Sequence, residues 1–346
     1  MITIPHDRLH HFVLELFEAT GIPENDAAIV ADHLVTSHLL GHDSHGVWFA
    51  PGYARAMRDD YHPWDEHVVD REAPAFAVID GKRANGIVAV NRCLDIAVEK
   101  ARQSTFGFVG LRNVTHIGRL GDYPPRMAEK GMIGMVWLNG GGLFLTPFGS
   151  ADRRLRPEPI AFAVPRRDGP PFMLDITMSV VAGGKIEQKI ARGEPLPEGW
   201  LIDQQGDYVT ESQGYRDAEE TGVPPIGGLQ FGHKGAGLAM MIEMIVGPLS
   251  GAGCTKGDKG GGGGIMVLAI DVEQFTDLDA YVEEIEGFAE WIHGARPLPG
   301  FDAVRLPGEI EEKFRGDRSR DGIELPETVW ESLREVAGEL GITPPG

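Results

Sequence analysis

The sequence predicts an α/β fold. Short apolar runs of strand length alternate with longer segments of helical periodicity through much of the chain, as in α/β proteins. Of the 346 residues, 42% are hydrophobic and 24% charged, which is an ordinary globular composition. The length is that of one large domain or two smaller ones. No apolar run approaches the roughly 20 residues that a membrane-spanning helix needs.

Three helices are predicted at the start of the chain. Apolar residues recur at helical spacing over residues 6–20, and Gly21 and Pro23 end this first helix. A second helix leads to residues 41–46, and a third continues towards Arg58.

The rest of the chain alternates between the two kinds of element. Apolar runs predict strands over residues 75–80, 106–111, 132–138, 160–164, 171–176 and 265–270. Helical periodicity predicts helices over residues 87–103, 123–130, 278–293 and 327–340, and residues 235–249 are apolar enough for a buried helix.

Charge and cysteine content narrow the functional classes. The 52 acidic residues outnumber the 32 basic ones, for a formal net charge of −20. Nucleic-acid and anionic-membrane partners need a basic surface, so we expect neither. Cys93 and Cys254 are too few for a disulfide framework or a cysteine-based zinc site. With an N-terminus that lacks a basic region followed by an apolar block, they favour a cytoplasmic location.

Residues 41–46, Gly-His-Asp-Ser-His-Gly, are the strongest candidate for a catalytic segment. Gly41 interrupts the second helix, and Asp43 and Ser44 are good N-cap residues for a further one. His45 would then lie beside free backbone N–H groups, which attract anions. A histidine with an ordinary pKa of about 6.5 can exchange a proton with a bound anionic substrate. Taken alone, such a hexapeptide more often contains a surface or helix-capping histidine.

A zinc site is an alternative for the same segment. On one continuous helix, His38, His42 and His45 would share a face. Gly41 and the capping residues argue against such a helix, and no His-Glu-x-x-His pattern is present. We therefore expect no metal site.

Two further positions place basic side chains where α/β proteins often bind ligands. His116 and Arg119 lie between a predicted strand and a predicted helix, and His233-Lys234 stands just before a long apolar helix. Each taken alone is more simply a solvated loop residue. The G-x-G-x-x-G dinucleotide fingerprint after a strand is missing.

Taken together, these segments resemble a known family over nearly the whole chain. They are similar to the malate/L-lactate dehydrogenase-type oxidoreductases, whose nicotinamide-binding fold is distinct from the Rossmann fold. The resemblance is carried by Ser179 and by residues 41–46, 116–118, 129–134, 147–149, 174–175, 232–235, 249–251 and 306–309. Residues 116–119 and Glu290-Trp291 carry a closer likeness to hydroxycarboxylate dehydrogenases within that family.

The resemblance implies a mixed sheet with flanking helices, and hydride transfer between a 2-hydroxycarboxylate and NAD or NADP. His45 would donate the proton when the 2-oxoacid is reduced and accept it in oxidation. The expected substrate contacts are Ser44, Phe49, His116 and Arg119. The expected cofactor contacts are His45, His116, Gly118, Leu174, Asp175, Ile176, Thr177, His233, Lys234, Gly308 and Glu309.

The resemblance also suggests how the chain is organised. We expect an N-terminal helical segment that carries the catalytic histidine (residues 1–70) and a nicotinamide-binding core (residues 71–255). A C-terminal strand and helices (residues 256–346) would pack back on the N-terminal part. Family members are generally dimers, so a homodimer is expected.

Three positions depart from the family pattern. Many members carry an arginine four residues after the catalytic histidine, where this chain has Phe49. Residues 157–159 are Pro-Glu-Pro instead of Thr-Asn-Pro, and residues 175–179 are Asp-Ile-Thr-Met-Ser instead of Asp-x-Ala-Thr-Ser. The first departure bears on the choice of substrate and the others on the cofactor. A cyclic imine carboxylate reductase and a catalytically silent paralogue therefore stay open as alternatives.

Overall fold

The structure is a computed structural model that describes residues 1–257 and 261–345. Its strands are β1 (Ile2–Ile4), β2 (Val68–Ala73), β3 (Phe76–Asp80), β4 (Phe106–Arg112), β5 (Met132–Asn139), β6 (Ile160–Val164), β7 (Phe172–Ile176), β8 (Ile202–Asp203), β9 (Thr221–Gly222), β10 (Gly264–Asp271) and β11 (Ile323–Leu325). Its α-helices are α1 (His6–Glu18), α2 (Glu24–Leu39), α3 (Ala50–Asp60), α4 (Gly86–Ser104), α5 (Tyr123–Ala128), α6 (Gly183–Arg192), α7 (Gly228–Phe231), α8 (His233–Ser250), α9 (Leu278–His293), α10 (Glu309–Asp321) and α11 (Glu327–Leu340).

Within these residues, the central sheet has seven strands in the order β2-β3-β4-β10-β5-β6-β7. Strands β3 and β4 are parallel, whereas the other neighbours in this sheet are antiparallel. The middle strand, β10, comes from late in the chain. The expected α/β fold with a mixed sheet is therefore confirmed.

Helices cover both faces of this sheet because alternate residues of a strand point to opposite sides. Val109 and Val267 face α4 and α5, whereas Met266 faces α6 and α8. A separate apolar cluster joins α1, α2 and α3 to β11 and α11, and β1 pairs with β11. Residues from the two ends of the chain therefore form one core beside the sheet.

Most predicted elements are present, and several others were not predicted. The predicted strands and the helices over residues 87–103, 278–293 and 327–340 match β3–β7, β10, α4, α9 and α11. Strand β2 escaped prediction because its side chains are almost all exposed, so it lacks an apolar run. Helix α10 is highly charged and has no fully buried residue, so it lacks an apolar stripe.

Helix α8 is exposed on one face, which corrects the prediction of a fully buried helix. Its inner face carries the buried Ala239 and Val246. On its outer face, Met241, Met244 and Leu249 are 53%, 60% and 54% exposed. An apolar helix in the sequence is therefore only half covered in a single chain.

None of the helices that the structure describes is both long enough and apolar enough to span a bilayer.

Candidate active site

The segment after α2 folds as two tight turns and not as the start of a helix. Gly41 has a φ of +83°, and a Cβ on it would lie 2.7 Å from the ring of Phe314 in α10. Two 3-10 turns follow, Asp43–His45 and Val47–Phe49, before α3 begins at Ala50. The predicted ending of the second helix near Gly41 is correct.

The predicted cap at Asp43-Ser44 is wrong. The carboxylate of Asp43 instead pairs with the guanidinium of Arg318 in α10, with 3.3 Å between Oδ2 and Nη2. His45 therefore occupies a 3-10 turn and does not lie at the N-terminus of an α-helix. The ion pair with Arg318 takes the Asp43 carboxylate away from helix capping. Because it joins residues far apart in the sequence, a rule based on neighbouring residues does not predict it.

The three histidines of the zinc alternative have separate partners. His38 Nδ1 accepts a hydrogen bond from the Val47 N–H at 2.9 Å, and His42 Nε2 lies 3.3 Å from Glu311 Oε1. A Cβ on Gly46 would lie 1.8 Å from His38 Nδ1, so the glycine makes room for this buried ring. In residues 1–257 and 261–345, no group of three or more His, Cys, Asp or Glu side chains is arranged to hold a metal.

His45 lies in a cluster of aromatic rings. Its ring centroid is 6.2 Å from that of His116 and 6.4 Å from that of Phe49. Phe49 in turn lies 4.8 Å from His116 and 5.5 Å from Tyr53, measured between ring centroids. Ser44 Oγ is 3.0 Å from His45 Nδ1 and so fixes the orientation of the imidazole. The predicted residues Ser44, His45, Phe49 and His116 therefore share one site.

His45 is neutral in the free protein. Burial among these groups lowers the pKa of His45 to about 3. Repulsion between a protonated His45 and the neighbouring basic groups His116, His42, His33 and Arg119 lowers it further. A neutral imidazole held by Ser44 is ready to accept a proton.

Tyr53 selects the tautomer of His116. Tyr53 Oη lies 2.5 Å from His116 Nδ1, and the Gly118 N–H lies 3.4 Å from the same nitrogen. Burial raises the pKa of Tyr53, so the phenol keeps its proton and donates it to Nδ1. Removal from water, and then the nearby basic side chain of His33, lower the pKa of His116 to about 4. Neutral His116 therefore carries its proton on Nε2, as a hydrogen-bond donor.

Arg119 is held by a buried polar network. Its backbone N–H donates to His33 Nε2 at 2.8 Å, and His33 Nδ1 lies 3.1 Å from Asp122 Oδ2. The guanidinium is 3% exposed, with Nη2 at 3.7 Å from Asp122 Oδ1. Among the described residues, Arg119 Nε and Nη1 have no hydrogen-bond partner. A Cβ on Gly118 would lie 2.1 Å from His33 Nε2, so this predicted cofactor residue also makes room for the network.

The predicted cofactor residues on β7 and at the start of α10 lie side by side. Met173 N donates to Pro307 O at 3.3 Å, which lays Gly308 and Glu309 along the edge strand that carries Leu174 and Asp175. Asp175 Oδ2 accepts the Gly121 N–H at 2.7 Å, which brings β7 next to the Arg119 loop. Cavities of about 340 and 640 Å³ adjoin Gly308, and the smaller one is lined by Arg119 and Gly121. Open space beside a buried guanidinium with free N–H groups fits a phosphate-bearing dinucleotide or an anionic substrate.

His233 and Lys234 are exposed at the start of α8, and the ring of His233 packs edge-on against Phe148 at 5.6 Å. The segment after Ile176 and Thr177 pairs with residues 224–226, which lead into α7 and α8. Within the described chain, no hydrogen bond or ring contact joins His233 or Lys234 to the His45 cluster.

Comparison with known proteins identifies the family. A sequence model described as malate/L-lactate dehydrogenase matches residues 4–334. The chain belongs to the malate/L-lactate dehydrogenase family. The members of this family are oxidoreductases that act on the CH–OH group of 2-hydroxyacids.

Individual family members are similar over nearly their whole length. Malate dehydrogenase of Pyrococcus horikoshii is 36% identical over 99% of this chain and 96% of its own, and its solved structure superposes with a TM-score of 0.87 over 99% and 97% of the two chains. Hydroxycarboxylate dehydrogenase B of Escherichia coli is 33% identical over 96% and 93% of the two chains. The family resemblance seen in the sequence is confirmed, and hydroxycarboxylate dehydrogenase B is among the relatives. The delta1-piperideine-2-carboxylate reductase of Pseudomonas syringae shares the fold, with a TM-score of 0.81 and 23% identity over 97% of this chain and 100% of its own.

Residues 157–159, which depart from the family pattern, contribute Glu158 to a buried pair of carboxyl groups. Glu158 is 0% exposed and lies beside Glu243 of α8. Burial, and then the neighbouring Glu243, raise the pKa of Glu158 to about 10. Glu158 therefore carries a proton at neutral pH and can donate it to a carboxyl oxygen of Glu243.

Three residues of this dehydrogenase site were missed by sequence reasoning. Tyr53 contacts His116, and His33 contacts Arg119, from other elements, whereas Asp122 contacts Arg119 within the same loop. The one available signal was local, since Asp122 follows Arg119 by three residues in an otherwise apolar stretch. For Tyr53 and His33, nothing in the pattern separates them from ordinary amphipathic helix residues.

Proposed function

We propose that this protein is an NAD- or NADP-dependent 2-hydroxycarboxylate dehydrogenase that works as a 2-oxoacid reductase. The observation that carries the proposal is the neutral imidazole of His45, held by Ser44 beside His116 and within the field of Arg119. Proton transfer from the substrate hydroxyl, or to the carbonyl oxygen in reduction, needs such a positioned acid–base group.

The side chains divide the work as follows. In oxidation, His45 accepts the hydroxyl proton through Nε2 while the hydroxyl oxygen of Ser44 accepts a hydrogen bond from the Nδ1–H of His45. In reduction, protonated His45 returns the proton to the carbonyl oxygen. His116 offers its Nε2 proton to an oxygen of the substrate. The nicotinamide, when bound, takes up or supplies the hydride.

The cofactor would be held where the predicted contacts meet. Leu174, Asp175, Ile176 and Thr177 present the edge of β7, and Gly308 and Glu309 lie beside it. His116 and Gly118 would approach it from the His45 side. Exposed Lys234 would supply positive charge beside His233 at the start of α8.

His45→Gln tests this assignment. Positioned acid–base catalysis contributes about 10²–10⁴-fold, so kcat should fall at least ~100-fold. The dissociation constant of NADH or NADPH, measured by nicotinamide fluorescence, should change little. The matched control is His42→Gln, which alters the other histidine of the segment and should leave most of the activity. A His45→Gln enzyme that keeps most of its turnover would remove His45 from the mechanism.

The same assay separates the alternatives. A cyclic imine carboxylate reductase would turn over imine substrates and no 2-oxoacid. A silent paralogue would turn over neither and would bind the nicotinamide cofactor weakly or not at all. Screening both cofactors against a panel of 2-oxoacids also decides between NAD and NADP.

We also propose that the protein is a cytoplasmic homodimer. The exposed apolar face of α8, which includes Met241, Met244 and Leu249, is the kind of surface that a second subunit covers. Cys93 and Cys254 are both free thiols, which suits a reducing compartment.

A further inference from the structure

The substrate end of the site has one uncharged wall. Phe49 packs against the rings of His116 and Tyr53, and His45 lies at 6.4 Å from it. The hydroxyl of Tyr53 is already bonded to His116, so it is not available to a ligand. Both histidines have lowered pKa values, so at neutral pH this wall carries no fixed charge.

An anionic substrate also needs a positive group, and Arg119 provides one. Arg119 is 3% exposed and is one of the residues that line a cavity of about 340 Å³. Its Nε and Nη1 have no partner among the residues that the structure describes. Burying N–H donors of a charged group without acceptors costs free energy, so the arrangement favours a ligand that supplies them.

The guanidinium is also fixed in place before any ligand binds. Asp122 accepts from Arg126 Nη2 at 2.8 Å and from His33, so its own position is determined. Asp122 in turn lies 3.7 Å from Arg119 Nη2, and the other two guanidinium nitrogens have no partner in the part of the chain that the structure describes. A planar group with two oxygens suits such a preformed donor set.

Gly121 allows the side chain of Arg119 to lie close to β7. A Cβ on Gly121 would lie 2.8 Å from Arg119 Nη1 and 2.7 Å from Asp175 Oδ2, so a larger residue would displace one of these groups. Arg119 is also close enough to His45 for its charge to lower the pKa of His45. Glu311, which lines the same cavity as Arg119, contacts His42 of the segment that carries His45.

We propose that Arg119 binds the carboxylate that all 2-oxoacids share and that Phe49 faces the rest of the substrate. The substrates are then 2-oxo monocarboxylates with an apolar or aromatic side chain. This inference rests on the proposed function. A second carboxylate next to Phe49 would lose water without gaining a partner, whereas an apolar side chain is stabilised there by burial.

The first test compares phenylpyruvate with oxaloacetate in the wild-type enzyme, with no substitution involved. Phenylpyruvate should show at least about tenfold higher kcat/KM, because a desolvated and unpaired carboxylate is strongly rejected. A preference for oxaloacetate overturns the inference but leaves the proposed function standing. Reduction of neither these two nor any other 2-oxoacid would instead contradict the proposed function itself.

The second test uses substitutions at the two positions. Arg119→Gln should raise KM for both 2-oxoacids by about tenfold or more, with Arg119→Lys intermediate. The dissociation constant of NAD(P)H should stay within about twofold, since the lost partner belongs to the substrate. Phe49→Arg should move the preference towards oxaloacetate, whereas the apolar control Phe49→Leu should not. An Arg119→Gln enzyme with weakened NAD(P)H binding and an unchanged KM would assign Arg119 to the cofactor and overturn the inference.

Discussion

At the scale of the residue, the low pKa of His45 determines how pH acts on each direction of the reaction. With a pKa of about 3, His45 is already a neutral base across the usual pH range. The kcat/KM for oxidation of a 2-hydroxyacid should therefore be flat between pH 6 and pH 8, as far as His45 is concerned. The kcat/KM for reduction needs protonated His45, whose fraction falls about tenfold per pH unit above the pKa.

Initial rates in both directions over this pH range check the prediction. Another group would carry the proton if kcat/KM changed with pH equally in the two directions. The same would follow if kcat/KM for reduction levelled off below pH 7. Tyr53→Phe is a useful companion variant, because it removes the hydroxyl that selects the tautomer of His116 and leaves His45 bonded to Ser44.

How well single site residues could be predicted depended on where their partners lie in the sequence. His45, Ser44 and Phe49 are close together in the sequence, and His116 and Arg119 follow a strand, so local pattern and resemblance indicated all five. The lack of partners for Arg119 Nε and Nη1 among the described residues could not be predicted, since it depends on Asp122 and His33 meeting across α2 and the loop after β4. The roles assigned to these residues stay predictions.

At the scale of the element, the Glu158–Glu243 pair ties the segment before β6 to α8. The pKa of Glu158 is about 10 in the folded protein and has its ordinary value of about 4.5 in the unfolded chain. Between these values the folded protein holds a proton that the unfolded chain has lost. Stability should therefore fall as pH rises through this interval, by up to about 1.4 kcal/mol per pH unit.

Glu158→Gln should flatten this dependence, because an amide can donate to Glu243 without titrating. Urea unfolding at pH 6 and at pH 9 gives, for each protein, the change in the free energy of unfolding between the two pH values. Glu283→Gln, on the exposed side of α9, is the matched control and should behave like the wild type. The same loss of stability at pH 9 in Glu158→Gln and wild type would count against a shared proton.

Helices and strands with a buried apolar face could be predicted from the sequence. Those that are stabilised by ion pairs or by pairing at a sheet edge could not. Strands such as β5 and helices such as α11 have apolar patterns that match their burial. Strand β2 and helix α10 lack such patterns, because pairing at a sheet edge and ion pairs such as Arg318–Asp43 hold them. The same ion pair explains why capping rules failed at Asp43.

At the scale of the whole molecule, the outer face of α8 should bury itself in a dimer. Met244→Asp places a charge at the centre of this exposed apolar face and should convert the dimer to a monomer. Leu298→Asp, at an exposed residue after α9, is the control and should leave the mass unchanged. Sedimentation velocity measures both. A Met244→Asp protein with an unaltered dimer would place the subunit contact elsewhere.

Synthesis delivers the middle strand of the central sheet last. Strands β2 to β7 all precede β10 in the chain, and residues 140–263 separate β5 from the strand that joins it to β4. Until β10 leaves the ribosome, β4 and β5 each present an open edge to any other unfinished chain. The core must therefore close after most of the polypeptide has emerged, by insertion of one strand between two others. Such long-range pairing is slow and leaves the chain prone to aggregation, so this is the folding step at which chaperones have the most time to bind.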